Sequence, residues 1–176
     1  MVKLKIIHYI NQFYGQIGGE EKADQVPIIR SGSVGPGAAL QNLLGDEVEI
    51  VATVICGDTY FAENTEEATN KILKLIEDYE FNGFVAGPAF NAGRYGIACG
   101  AICKAVKDKF EVPVLTAMYP ENPGAELYSK DVYILECEKS AAGMRKALKH
   151  LCKFMVRLFR GEKIGFPEEE GYIPQG

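Results

Sequence analysis

The chain has no run of about 20 consecutive apolar residues, only two histidines, no Cys-x-x-Cys pair and more acidic than basic side chains. Each shortage removes a class of function. Without a long apolar run no bilayer-spanning helix is expected. The opening MVKLKIIHYINQF is a short alternating stretch that meets polar residues at once, unlike a secretory signal. A formal net charge of -5 and a pI near 5.2 lack the positive footprint that grips nucleic-acid phosphates, so neither nucleic acid nor membrane is an expected partner. His8 and His150 leave few ways to pair a cysteine with a base, and no four-ligand zinc set exists. The five cysteines, Cys56, Cys99, Cys103, Cys137 and Cys152, are odd in number and widely spread, which fits reduced thiols in a cytoplasm. GSVGPG at 32–37 has the wrong glycine order for a dinucleotide fingerprint, and no glycine loop continues into Gly-Lys-Ser/Thr.

What is present is enough for one folded unit: 176 residues, of which 47% are hydrophobic. Short β-branched runs at 4–10, 49–55, 81–86, 112–118 and 132–135 alternate with helical patterns, which predicts a parallel sheet. The expected fold is α/β, a Rossmann-like three-layer sandwich with a mainly parallel sheet of about five strands, over residues 1–160. TEEATNKILKLIEDYE places Ala68, Ile72, Leu75, Ile76 and Tyr79 on one helical face, with Asn64 as N-cap and Glu67 completing a capping box. A last helix over 140–159 repeats Met144, Leu148, Leu151, Met155 and Leu158 as a core stripe, with its basic residues and His150 on the solvated side. Residues 161–176, with four glycines, two prolines and three successive glutamates, read as a tail or the start of an interdomain linker.

In an open parallel sheet, ligands sit outside the carboxyl ends of the strands. Every polar or glycine-rich cluster here follows a predicted strand: NQFYGQIGGEEKAD, CGDTYFAEN, GPAFNAGRYG, YPENPG and ECEKS. All five would open on one edge. In the first, Glu20 and Glu21 offer carboxylates for proton handling or for a substrate ammonium group. Cys56 ends the second strand, where a thiolate could reach a crevice or, alternatively, a small apolar side chain could simply be buried. Cys99 and Cys103, four apart, belong to the core. Asn91, Arg94 and Tyr95 fall at a helix start, where N–H groups and a guanidinium favour a carboxylate.

GGEEKAD (18–24), GPGAALQ (35–41), TVICGDTYFAEN (53–64), AGPAFNAGRYGIACG (86–100) and YPENPG (119–124), in that order, resemble the N-terminal half of the selenoprotein subunit of component B of glycine, sarcosine and betaine reductases. The D-proline reductase selenoprotein is a more distant match. The resemblance implies reductive cleavage of the C–N bond of a small amino acid or its N-methylated derivative in anaerobic amino-acid fermentation. It implies a partner subunit whose pyruvoyl group captures an amine substrate, a small selenoprotein A that receives the carboxymethyl group, and reducing equivalents from the thioredoxin system. Family members are more than twice as long and carry a selenocysteine near a cysteine in the C-terminal half. No such motif occurs here, so this chain is expected to be a fragment or an N-terminal domain encoded apart, inactive alone and without a cofactor or metal of its own.

Carried over as a substrate- or partner-facing surface are Glu20, Glu21, Cys56, Asp58, Glu63, Asn64, Asn91, Arg94, Tyr95, Glu121 and Asn122. In that reading Arg94 holds the substrate carboxylate, Glu20 or Glu21 handles protons or the ammonium group, and Cys56 stands among the catalytic candidates. The rival readings are a non-catalytic domain that binds a small molecule or a partner, and a free-standing enzyme with Cys56 as nucleophile.

Overall fold

The structure, a computed structural model, describes residues 3–176. Its centre is β1 (Leu4–Asn11), a strand buried along nearly its whole length, as expected of a continuous apolar run covered on both faces. β1 pairs in parallel with β3 (Val48–Cys56) on one side and β4 (Gly83–Ala86) on the other, and β5 (Val114–Met118) and β6 (Tyr133–Glu136) continue the sheet in parallel. A short β2 (Ile28–Ser31) adds an antiparallel edge outside β3, giving the order β2-β3-β1-β4-β5-β6. The sheet therefore has six strands where about five were expected. β2 is four residues long, half exposed and follows Pro27, so it carries neither a buried run nor a full alternation.

Period-2 geometry sorts the side chains into two cores. Ile7 and Tyr9 of β1 and Ala52, Val54 and Cys56 of β3 face α2 (Asp58–Glu63), α3 (Thr65–Ile76), α4 (Gly93–Phe110) and α5 (Pro123–Tyr128). Leu4, Ile6, Val48 and Ile50 face α1 (Pro36–Leu44) and α6 (Met144–Phe159). This is the three-layer α/β sandwich. On α6, Leu148, Leu151 and Met155 are buried as the repeat predicts, joined by Phe154 and Phe159, while Met144 and Leu158 are half-buried.

Asn64 does precede α3, yet it caps nothing with its side chain, and the expected capping box with Glu67 is absent. Residues 58–63 are already helical, so Asn64 is the joint between α2 and α3, and its Nδ2 donates back to the Tyr60 carbonyl at 3.1 Å. Residues 161–173 include the short α7 (Pro167–Glu170) and lie along the free edge of β6. The Ile173 N–H donates to Ile134 O and the Glu136 N–H to Gly171 O, while Arg157 grips Glu170 through two hydrogen bonds of 2.6 and 2.8 Å. Those contacts cover a sheet edge that would otherwise present unpaired backbone groups.

Candidate functional site

From β1 the chain moves to β3 on one side and later to β4 on the other, so the order of strands reverses between β1 and β4. At such a reversal the loops diverge and leave a crevice beyond the carboxyl ends. Here that crevice has a volume of about 360 Å³, within the range for small ligands. Its walls come from the end of β1 (Asn11, Gln12, Phe13, Tyr14), from Gly19 and Glu20, from Asp58, from the β4–α4 loop with Tyr95, and from residues 139–141.

Two amides at the end of β1 organise the floor. Asn11 Nδ2 donates to Asp58 Oδ2 at 3.0 Å, and Asn11 Oδ1 accepts from the Tyr14 N–H. Gln12 Oε1 accepts from the Asp58 N–H at 3.0 Å. The start of α2 is pinned from the other side, because the Thr59 and Tyr60 N–H groups donate to Ala23 O and the Gly57 N–H to Gln25 O. Gly57 is required there: a Cβ would overlap the Ala23 carbonyl.

Asp58 is thus fixed as the first residue of α2 with only 7% of its surface exposed. Its Oδ1 has no hydrogen-bond partner among the described residues. Burial raises its carboxyl to about 6; the Asn11 hydrogen bond and the Arg94 charge oppose that rise, and the Glu20 charge adds to it. Beneath it lie Tyr9 and Tyr95, both buried, with hydroxyls that find no partner among the described residues. Burial raises both phenols, and the nearby Asp58 charge contributes. Tyr14 stacks obliquely on Tyr95 with centroids 5.9 Å apart, and Phe13 packs edge-on against Tyr14. The result is a buried carboxylate whose charge acts on two buried tyrosines, in a crevice also lined by Phe13 and Tyr14, a combination suited to an ammonium group.

The opposite wall is the β4–α4 loop, where Phe90 holds a left-handed backbone with φ of 50°. A non-glycine residue keeps that conformation only when its surroundings enforce it. Asn122 does so: buried, it donates from Nδ2 to Phe90 O at 2.9 Å and to Ala92 O at 3.1 Å, and its Oδ1 accepts from the Gly124 N–H to cap α5. Gly96 makes room for it, since a Cβ there would overlap the Asn122 amide. His8, buried and lowered by burial to about 4, is neutral and donates from Nε2 to Gly87 O at the end of β4.

Of the residues singled out in the sequence, the crevice brings together Glu20, Asp58, Asn91 and Tyr95. Arg94 lies behind Glu20, its Nη2 donating to both carboxylate oxygens at 2.8 and 2.9 Å and its Nη1 to Thr59 Oγ1. Glu21 folds back on its own loop, accepting from the Gly19 N–H at 3.0 Å, which holds its carboxyl below the usual range. Cys56 is fully buried; its thiol points at the carbonyls of Gln25 and Gly57, and burial pushes it up to about 12. A thiol so placed presents no thiolate at neutral pH. Glu63 and Glu121 are exposed and, like Asn64 and Asn122, do not line the crevice. Asn11, Gln12, Phe90 and Lys139 were not singled out, although two amides directly after a buried apolar strand were a visible signal. Among the described residues no group of three or more His, Cys, Asp or Glu side chains could hold a metal ion, and no helix is long and apolar enough to cross a membrane.

The model of the family described as glycine/sarcosine/betaine reductase selenoprotein B (GRDB) matches residues 3–176. The chain belongs to that family. It is 54% identical over 176 residues to the glycine reductase complex component B subunit gamma of Carboxydothermus hydrogenoformans, covering 100% of this chain and 40% of the relative. It is 53% identical, with the same coverage, to the sarcosine reductase complex component B subunit beta of Peptoclostridium acidaminophilum. The betaine reductase complex component B subunit beta of the same organism is 46% identical over 172 residues, covering 98% of this chain and 39% of the relative. The chain thus spans about 40% of the length of these selenoprotein B relatives. No solved structure matches it.

Proposed function

We propose that this chain is the substrate-binding N-terminal domain of a glycine, sarcosine or betaine reductase component B subunit, and that it contributes one wall of the site for reductive C–N cleavage. The observation that carries the reading is Asp58: a carboxylate fixed at the strand-order reversal on the crevice wall, with one oxygen buried and unpartnered beside the buried Tyr9 and Tyr95. Ionised above about pH 6, it attracts the ammonium end of a small amino acid. The exposed Phe13 and the half-buried Tyr14, which line the crevice, serve primary, N-methylated and quaternary ammonium groups alike, because attraction to a ring face needs no N–H donor.

In this reading the domain binds and orients; it does not supply electrons. Cys56 belongs to the core, Glu21 braces its loop, and Asn122 positions the crevice wall. The selenocysteine and the pyruvoyl group that the family implies reside outside this chain, on the remainder of the subunit and on a partner subunit. Small selenoprotein A and the thioredoxin system act on the assembled complex, which is expected in the cytoplasm.

The test is turnover by the reconstituted complex containing the full-length subunit. Asp58→Asn is expected to lower kcat/KM at least about tenfold with the subunit folded and assembled. Unchanged turnover would remove Asp58, and with it this reading of the crevice. A non-catalytic domain that only docks a partner would show that second outcome.

A further inference from the structure

The Glu20–Arg94 pair joins three segments far apart in sequence: the 3-10 turn Glu20–Lys22, the start of α2 through Thr59, and the first turn of α4. Arg94 holds Glu20 through one nitrogen, Nη2 reaching both carboxylate oxygens, while Nη1 donates to Thr59 Oγ1. Glu20 lines the crevice, and its carboxylate is the group that Arg94 holds. The pair is solvent-exposed, with side-chain exposures of 43% for Arg94 and 75% for Glu20. Such pairs contribute little net stability, so another carboxylate can replace this one at small cost. The turn does not depend on it. Glu21 accepts from the Gly19 N–H and the Lys22 N–H donates to Gly19 O, so the Glu20 side chain can swing aside while its backbone stays in place.

We propose that Arg94 and Thr59 form a carboxylate seat at the rim of the crevice, that Glu20 fills it as an internal competitor, and that a ligand's carboxylate takes the seat by displacing Glu20. This deepens the substrate-binding reading and rests on it only for the ligand's other end. An amino acid then lies with its ammonium group at Asp58 and its carboxylate at Arg94. Arg94 is close enough for its charge to stabilise the ionised form of Asp58, while Glu20 opposes it. The ligand carboxylate replaces the charge that Glu20 withdraws, so the seat changes occupant without changing the sign of the rim.

Acetate isolates the seat, because it has a carboxylate and no ammonium group. Titrations of this chain followed by NMR should show Glu20→Gln and Glu20→Ala binding acetate roughly three- to fivefold tighter than the parent chain. Arg94→Lys in the Glu20→Gln background keeps the charge but cannot hold Thr59 and a carboxylate at once through separate fixed nitrogens, and should lose most of that gain. Acetate binding that is equal or weaker after removal of Glu20 would overturn the proposal, as would a gain that survives Arg94→Lys unchanged. The Asp58 reading is scored separately with glycine: a glycine affinity indifferent to Asp58→Asn, beside an intact Glu20 effect on acetate, sinks that reading and leaves the seat standing.

Discussion

Asp58→Asn is expected to make the protein more stable while making it a worse binder. Holding a carboxyl at about 6, against an ordinary 3.8, means that the native state binds the proton more tightly than the unfolded chain. Stability therefore falls as pH rises through the window from 3.8 to about 6 and stays lower above it. The full cost is about 3 kcal/mol. Asparagine has nearly the same shape, can still accept from Asn11 Nδ2, and carries no charge to bury. It forfeits part of the charge-assisted hydrogen bond, so the net gain at pH 8 should be about 2 kcal/mol, or about 4–8 °C in Tm for a chain of this size. Urea unfolding at pH 8 and pH 4 measures it. The two proteins should differ at pH 8 and converge at pH 4, where both side chains are neutral in the native state. Equal stability at pH 8, or a difference that persists at pH 4, would refute the premise that an uncompensated buried carboxylate forms the crevice floor. Stability given up at a binding residue is the usual cost of a site built for a ligand.

Two further outcomes test the framework around it. Asn122→Ala removes the amide that holds Phe90 O, Ala92 O and the Gly124 N–H, and should destabilise the chain by roughly 2–4 kcal/mol in urea unfolding, with the backbone signals of residues 89–92 most displaced. Cys56 should resist iodoacetamide at pH 7.5 until the chain unfolds, while Cys56→Ser or Cys56→Ala leaves glycine affinity within about twofold; rapid native-state alkylation would show that the thiol is accessible after all.

Much of the architecture was legible because buried parallel strands advertise themselves. The run at 4–10 carries apolar side chains on both faces, and its alternation with amphipathic helices led directly to the common edge where the crevice lies. β2 escaped because its residues are half exposed and its pairing to β3 is set by tertiary contact rather than by its own pattern. The burial of Cys56 was legible by parity, since it follows Ala52 and Val54 on the face that packs against α4. Asn122 before Pro123 was a readable helix start. The pairings that define the site were not readable. Asn11 and Asp58 are 47 residues apart, and Glu20 and Arg94 are 74 apart. Only the fold brings them together, and no local periodicity encodes which carboxylate an arginine meets. The same distance explains why Arg94, read as a free guanidinium at a helix start, is instead already engaged.

The most direct test of the central claim is calorimetric titration of glycine, sarcosine and betaine into this chain and into its Asp58→Asn variant at pH 7.5, repeated at pH 5. At least one of the three should bind the parent chain. Its affinity should fall at least about tenfold in the variant, and in the parent chain it should weaken as pH drops through about 6, where Asp58 takes up its proton. Affinity that is the same with and without the Asp58 charge, and flat between the two pH values, would contradict the assignment of this crevice to the ammonium end of the substrate.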